Sequence, residues 1–538
     1  MKKFLLLGAF ALAASATPAL AEDPVTDRAT LERDVRVLAD DDMEGREAGT
    51  PGYDRAAAYV ASRFADMGLE PGGDDGDWYQ RFGLVRHSAA RDSRLSIRGA
   101  DGSDIKATFG EDFVGGGIAS ASGDSVTAEM VFVGYGLDLP DLGYDDLSGV
   151  DLEGKIALWT FAVPEGLDSL ETIHIQRSAM QRFAARGAVG AIMLWTPSMD
   201  ERINWERGRN FIGRVGGVTW MGPDGVAHDD ARGMEFSLIA SPELSRRLLQ
   251  GQPLDYEAFS AAQANDLAVV PSFATGMTAR VAYENAFEPM LETSNVIAIQ
   301  PGTDPSVADQ YIVVTAHLDH EGANGEGPDP IYNGAMDNAT GTAAMLEMAR
   351  LFAAQPQRRP VMFVALGAEE LGLLGSSYHA ANPGLEQGYL AANVNVDMPV
   401  LTWPFSDIVA FGADRSNLLG EVSSAVNEYD LKLVPDPNPS EAFFFRSDQY
   451  SYVQAGIPAV YVELGFGNGG DVAQESFLST HYHKVSDEAD LVDYEQLGRF
   501  ADVAYLVTRN IANMDAQPAW NAGDFFERAF PRRVPIGK

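Results

Sequence analysis

Five short stretches in the second half of the chain carry histidine or carboxylate, and all but the last place it where an apolar run stops or a helical pattern is about to start. "YIVVTA" runs into His317-Leu318-Asp319-His320, "VMFVALGA" into Glu369-Glu370, and "NVNV" into Asp397. Asp337 sits in "GAMDNATG", just ahead of a helical pattern, and "STHYHKVSDEADL" supplies His481 and His483. Adjacent acids raise each other's pKa, so Glu369 and Glu370 at the end of a buried strand need a compensating partner or full solvation. Singly, each residue has an ordinary reading: a satisfied histidine, an N-capping aspartate, a solvated acidic pair. Together, two histidines and three carboxylates make a donor set for a pair of divalent ions such as zinc. Two ions roughly 3.5–4 Å apart, as in metal-ion catalysis, need one carboxylate that bridges them. The chain has no cysteine, which excludes disulfides, thiolate metal sites and cysteine nucleophiles, so any metal rests on histidine and carboxylate.

The elements that must position these residues follow from the hydrophobic pattern. From about Ser294 onward, apolar runs ("NVIAIQ", "YIVVTAH", "PVMFVALG", "ANVNVDM", "DIVAFG", "PAVYVEL") alternate with helical segments such as 341–353 and 415–428. That alternation predicts an α/β fold with a mixed, largely parallel sheet flanked by helices. In such sheets sites form beyond the carboxyl ends of the strands, where the candidate residues fall. Near the start, 54–67 reads as a helix with an apolar stripe of Ala57, Tyr59, Val60, Phe64 and Met67. Between about Asp92 and Gln300 the runs are short and β-rich, with one helix predicted over 175–186. The simplest architecture is an α/β domain interrupted by a β-rich insert.

These motifs, in this order, resemble the co-catalytic zinc peptidases, a family that includes secreted bacterial aminopeptidases, glutamate carboxypeptidase and glutaminyl cyclases. His317-Leu318-Asp319 matches its His-x-Asp, "GAMDNATG" its Gly-Ala-x-Asp-Asn-x-x-Gly, and Glu369-Glu370 its Glu-Glu. Asn395-Val396-Asp397-Met398 matches Asn-x-Asp-Met, and Tyr482-His483 with Asp487 the late Tyr-His…Asp. The resemblance spans about residues 28–90 and 285–510, and "VGYGLDLPDLGYDDLSGVDLEGKIAL" with "AARGAVGAIM" resembles the protease-associated domain often inserted in this family. It implies catalytic segments over 22–117 and 283–515 and a protease-associated domain over 118–282; the N-terminal pattern gives a signal peptide over 1–21, and 516–538 is left as a tail.

The resemblance also implies two zinc ions per chain. His317 and Asp397 would hold one, Glu370 and His483 the other, and Asp337 both. Asp319 would orient the His317 ring through its far nitrogen, and Glu369 would act as general base on a metal-bound water. The implied activity is release of N-terminal residues from peptides. Carboxypeptidase or glutaminyl cyclase chemistry on the same scaffold is the alternative, and a non-catalytic binding homologue a more distant one. His320 and His481 are expected at the surface or behind the ligands, and Glu44 and Arg46 in a structural turn or an ion pair outside the site. In "FFFRSDQYSYVQAGIPA" the family often has His after Ser-Asp where this chain has Gln449, which puts a substrate contact there in doubt.

The formal net charge of −39 argues against nucleic acid and anionic membrane as partners. Lys2-Lys3, an apolar run and Ala19-Leu20-Ala21 read as a cleavable export signal, so a periplasmic or secreted protein is expected, with no membrane association after cleavage. Nothing in the sequence specifies an oligomeric state. No His-Glu-x-x-His helix, Gly-x-Ser-x-Gly elbow or phosphate-binding loop is present.

Overall fold

The computed structural model describes residues 25–89, 93–212, 216–265 and 267–531. The expected signal segment, 1–21, and the last seven residues of the expected tail lie outside the described residues.

The centre of the larger sheet is four parallel strands in the order Val361–Leu366, Gln310–His317, Tyr389–Val396 and Ala459–Leu464. They are apolar and almost wholly buried, as strands covered on both faces must be. Side chains alternate across the sheet. Ile312, Val314, Phe363 and Val394 pack with helices Thr340–Ala354 and Tyr494–Asn513, while Val313, Met362 and Val364 pack with Tyr452 of helix Gln449–Gln454. Antiparallel strands extend both sides: Asn285–Gln300, Tyr79–Ala89 and Gly216–Trp220 on one, Asp407–Phe411 on the other.

A second sheet has eight strands in the order Asp104–Ala107, Arg94–Arg98, Phe273–Ala282, Ser125–Phe132, Ile156–Trp159, Gly190–Leu194, Phe236–Ala240 and Phe113–Gly117. It corrects the expected boundary at residue 118. Arg94 lies opposite Ala282 and Phe113 opposite Ala240, so both early strands are held by partners more than a hundred residues later. The strand Gly216–Trp220 leaves this unit and becomes the edge of the larger sheet.

The helix predicted over 175–186 is two, Ser169–Arg177 and Ala179–Ala184. At the break, the Ser178 hydroxyl donates back to the His174 carbonyl, a bond that competes with helix continuation. The helix predicted from residue 54 starts at Pro51, with Thr50 capping the Tyr53 amide and proline in the first turn. Among the described residues no helix is long and apolar enough to cross a membrane.

Candidate metal centre

His317 is the last residue of its strand and Asp397 the first after its own. Glu369 and Glu370 lie on the turn after Val361–Leu366, Asp337 on the loop entering helix Thr340–Ala354, and His483 on the turn after helix Gly470–Thr480. All converge on one crevice. His317 Nε2 is 2.9 Å from Asp397 Oδ1 and 3.3 Å from Asp337 Oδ1. His483 Nε2 is 3.1 Å from Asp337 Oδ2 and 3.2 Å from Glu370 Oε2. One carboxylate therefore faces two donor groups, one oxygen to each.

The crevice depends on local backbone choices. Gly367 passes so close to the Tyr53 hydroxyl and the Ser294 carbonyl that a Cβ there would overlap both. Gly334 has φ +54° and passes against the His320 ring. Ala368, Met398 and His483, each beside or within the cluster, also have positive φ, a conformation that costs a non-glycine residue about 1 kcal/mol or more. The Asp337 loop is tied down at several points. Asp487 accepts from the Met336 and Asp337 amides, and Asn338 bonds to Val396 O and the Met398 amide beside Asp397.

One expectation is corrected. The Asp319 carboxylate does not reach the His317 ring; the Asp319 backbone carbonyl does, 3.2 Å from Nδ1. The carboxylate instead accepts from the Glu369 amide at 3.0 Å and the Glu370 amide at 3.3 Å, because the chain turns there to bring both acids to one side. A carboxylate–histidine pair of the kind expected at His317 occurs at His483, whose Nδ1 is 3.2 Å from Glu321 Oε1. His320 takes the second of its two expected places, behind a candidate ligand. It is buried, its Nδ1 lies 2.7 Å from Glu370 Oε1, and its Nε2 has no hydrogen-bond partner. His481 turns away, toward Ser486.

Gln449 is buried and bridges Asn395 to the Phe444 carbonyl, a structural contact. Arg46 is also buried, and its guanidinium donates to the carbonyls of Leu38, Leu318, Asn333 and Gly334. It thus fastens together the loops that carry His320 and Asp337. Nothing near Arg46 in sequence signalled this.

Charge in the crevice is strongly perturbed. Burial opposes ionisation of His317, yet Asp397, Glu369 and Asp337 hold it well above its ordinary value. His483 is raised to about 10; burial works against this, but Asp337 and Glu370 outweigh it. Burial would raise Asp337, but His317 and His483 hold it well below the usual carboxylate range. Burial pushes Glu369 well above that range, with Glu370, Asp448 and Asp397 adding to the shift. Burial also raises Asp319 to about 6 and Asp448 to about 7. Nitrogen and oxygen donors within 4.8 Å of one another form overlapping groups, His317 with Asp337 and Asp397, and Glu370 with His320 or His483. This donor set, nitrogen and carboxylate oxygen, fits a borderline divalent ion such as zinc.

Residues 295–508 match the sequence profile described as peptidase family M28. This part of the chain is similar to peptidase family M28. All five candidate ligands and Glu369 lie inside the matched M28 segment, while Arg46 fastens it from outside. Aminopeptidase YwaD of Bacillus subtilis (strain 168) is 29% identical over 235 residues, 42% of this chain and 46% of its own. An aminopeptidase of Pseudomonas aeruginosa (strain UCBPP-PA14) is 39% identical over 173 residues, 31% of this chain and 30% of its own. The chain spans about half the length, or less, of these curated relatives. Among solved structures, an aminopeptidase from Aneurinibacillus sp. strain AM-1 aligns at 20% identity and a TM-score of 0.42, over 92% of this chain and 98% of its own. A wider cleft of about 2200 Å³, lined by Arg182, Trp220, Asn382 and Phe530 among others, includes none of the M28 cluster.

Proposed function

We propose that this chain is an exported, zinc-dependent aminopeptidase that removes N-terminal residues from peptides. The observation that carries the reading is Asp337, whose two oxygens face two separate donor groups. His317 and Asp397 would hold one ion, His483 and Glu370 the other, and Asp337 both. His483 is preferred to His320 as a ligand because its Nε2 lies within 3.2 Å of both Asp337 and Glu370, whereas His320 Nδ1 is 3.9 Å from Asp337. His320 orients Glu370, and Glu321 fixes the His483 tautomer.

Bound zinc supplies Lewis acidity and makes a water nucleophilic near neutral pH. Glu369 is the general base. Its carboxyl, pushed upward by burial, takes the proton from the attacking water, holds it, and delivers it to the leaving amine nitrogen. Asp319 positions Glu369 by holding its amide. Asp487 and Asn338 hold the shared carboxylate in place. Relatives named as aminopeptidases support the choice of reaction. The Lys2-Lys3 and Ala19–Ala21 pattern supports export, and the β-rich unit, which resembles a protease-associated domain, would shape access to the crevice.

The test is metal content by mass spectrometry with an amino-acid nitroanilide panel. About two zinc per chain, with cleavage lost on chelation and restored by zinc, is the expected result. One ion or none, with no free-amine substrate cleaved, would turn the reading to cyclase or carboxypeptidase chemistry.

A further inference from the structure

A narrow apolar slot adjoins the cluster. Met398, Val400, Val409, Phe411, Phe443 and Phe466 line it, and its cavity measures about 40 Å³, against about 2200 Å³ for the wider cleft. It touches the metal centre at two points. Met398 directly follows Asp397, and the Tyr461 hydroxyl lies 3.1 Å from the Asp397 carbonyl. The same hydroxyl lies 3.1 Å from Glu463 Oε2. Glu463 and Asp436 line the slot, and no lysine or arginine does.

Glu463 is out of keeping with its surroundings. It stands on the strand Ala459–Leu464, whose alternation puts it on the face of Ala459 and Tyr461. Its carboxyl has two partners, the Tyr461 hydroxyl and the Leu464 amide, and no cation among the described residues. A carboxylate among valine and phenylalanine side chains is costly unless it is paired. A slot meant for leucine or phenylalanine would be served better by an apolar residue at this position.

We propose that this slot receives the side chain of the substrate's first residue and that Glu463 makes it prefer a long side chain ending in a cation, lysine or arginine. The inference rests on the aminopeptidase reading above. The methylene stem would lie along Val409, Phe411 and Phe466, and the ammonium or guanidinium would reach the carboxylate as a charge-assisted pair. With the slot empty, burial pushes the Glu463 carboxyl well above the usual carboxylate range, and a cation alongside returns it to its charged form. The chain's net charge of −39 would also concentrate cationic peptides near its surface.

The test compares lysine and norleucine nitroanilides, whose side chains are alike except for the terminal ammonium. The zinc-loaded protein should favour lysine in kcat/KM by about tenfold or more, as expected for a hydrogen bond to a charged group. Glu463→Gln should bring the ratio to about one, and Glu463→Leu should invert it. A norleucine preference in the unaltered protein, or a lysine preference that survives Glu463→Gln, would overturn the proposal. Calorimetry with free L-lysine and L-norleucine separates the two readings. Lysine bound more tightly, with the difference lost in Glu463→Gln, supports the slot even if no nitroanilide is cleaved, in which case the aminopeptidase reading alone falls. Cleavage without any preference, in kinetics and calorimetry alike, sinks the slot and leaves the peptidase.

Discussion

Each of the two sheets has four parallel strands at its centre, yet their carboxyl ends are put to opposite uses. In the larger sheet those ends carry His317, the Glu369-Glu370 turn and Asp397, all aimed at one crevice. In the smaller sheet, Ser125–Phe132, Ile156–Trp159, Gly190–Leu194 and Phe236–Ala240 end in Val133, Thr160, Trp195 and Ser241. There every polar group is turned inward to hold packing. Thr160 donates to the Leu194 carbonyl, the Trp195 carbonyl accepts from Tyr256, its amide donates to Ser245, and Ser241 caps the next helix. Among the described residues, every candidate metal group belongs to the larger sheet. A crevice beyond parallel strands is an opportunity, and the side chains placed there decide whether chemistry follows.

The comparison breaks most sharply at Asp337. Asp337→Asn removes the shared carboxylate and should leave the larger sheet's crevice as inert as the smaller one's. Zinc should fall below two per chain and peptide hydrolysis should vanish; full metal content with full activity would remove Asp337 from its bridging role. Glu369→Gln keeps the proposed donor set and removes the base. It should lower kcat by about 10²–10⁴-fold with zinc content unchanged, measured by mass spectrometry and initial rates on one preparation. Asp319→Asn touches neither substrate nor ion. It places an amide NH₂ against one of the two backbone donors, so a loss of about 10–100-fold in metal affinity or rate is expected. A full pH–rate profile on this variant distinguishes displaced Glu369 from general damage, because only the former shifts the acidic limb.

A smaller effect appears when the metal is removed. His317 is then held well above its ordinary value and His483 is raised to about 10. In the fold both keep protons that the unfolded chain releases above about pH 6.5. The stability they contribute is complete below that pH and is lost as pH rises toward 10. A metal takes the place of those protons, so the zinc-loaded protein should lack this slope. Thermal melts across this window with chelator should fall steadily; a flat metal-free curve would mean that the histidines are neutral in the fold.

Much of the centre was legible because the parallel strands are continuous apolar runs and their ends are abrupt. His317, Glu370 and Asp397 each follow such a run, and Asp337 precedes a helix with a clear pattern. What was not legible depended on distant partners. Arg46 bonds to carbonyls almost three hundred residues away, so it reads locally as part of a charged turn. Which of its two expected places His320 takes depends on how the loop folds, which sets its ring under Glu370. The boundary at residue 118 missed three strands, because Arg94–Arg98 and Phe113–Gly117 are held by partners far along the chain and Asp104–Ala107 is held by Arg94–Arg98. Glu463 lies within "AVYVEL", an apolar run that signals only a strand, and only the packed slot reveals what faces it.

The opposite half of the comparison is tested at Trp195, which is fully buried at the end of its strand and packs edge-on against Trp205 at 5.1 Å between ring centres. Trp195→Ala opens a cavity where the larger sheet would have a metal ligand. Substitutions of this kind cost about 3–5 kcal/mol, so the denaturant midpoint should fall well outside experimental scatter. Hydrolysis by the remaining folded protein should stay within about twofold, because the variant touches neither the ligand cluster nor the strands that carry it. A drop in kcat as large as that from Asp319→Asn, with zinc retained, would mean that the smaller sheet communicates with the crevice. The edge strand Gly216–Trp220, which belongs in sequence to one unit and in hydrogen bonding to the other, would be the physical route. An unchanged kcat beside a lowered midpoint would instead confine the smaller sheet's contribution to packing and access.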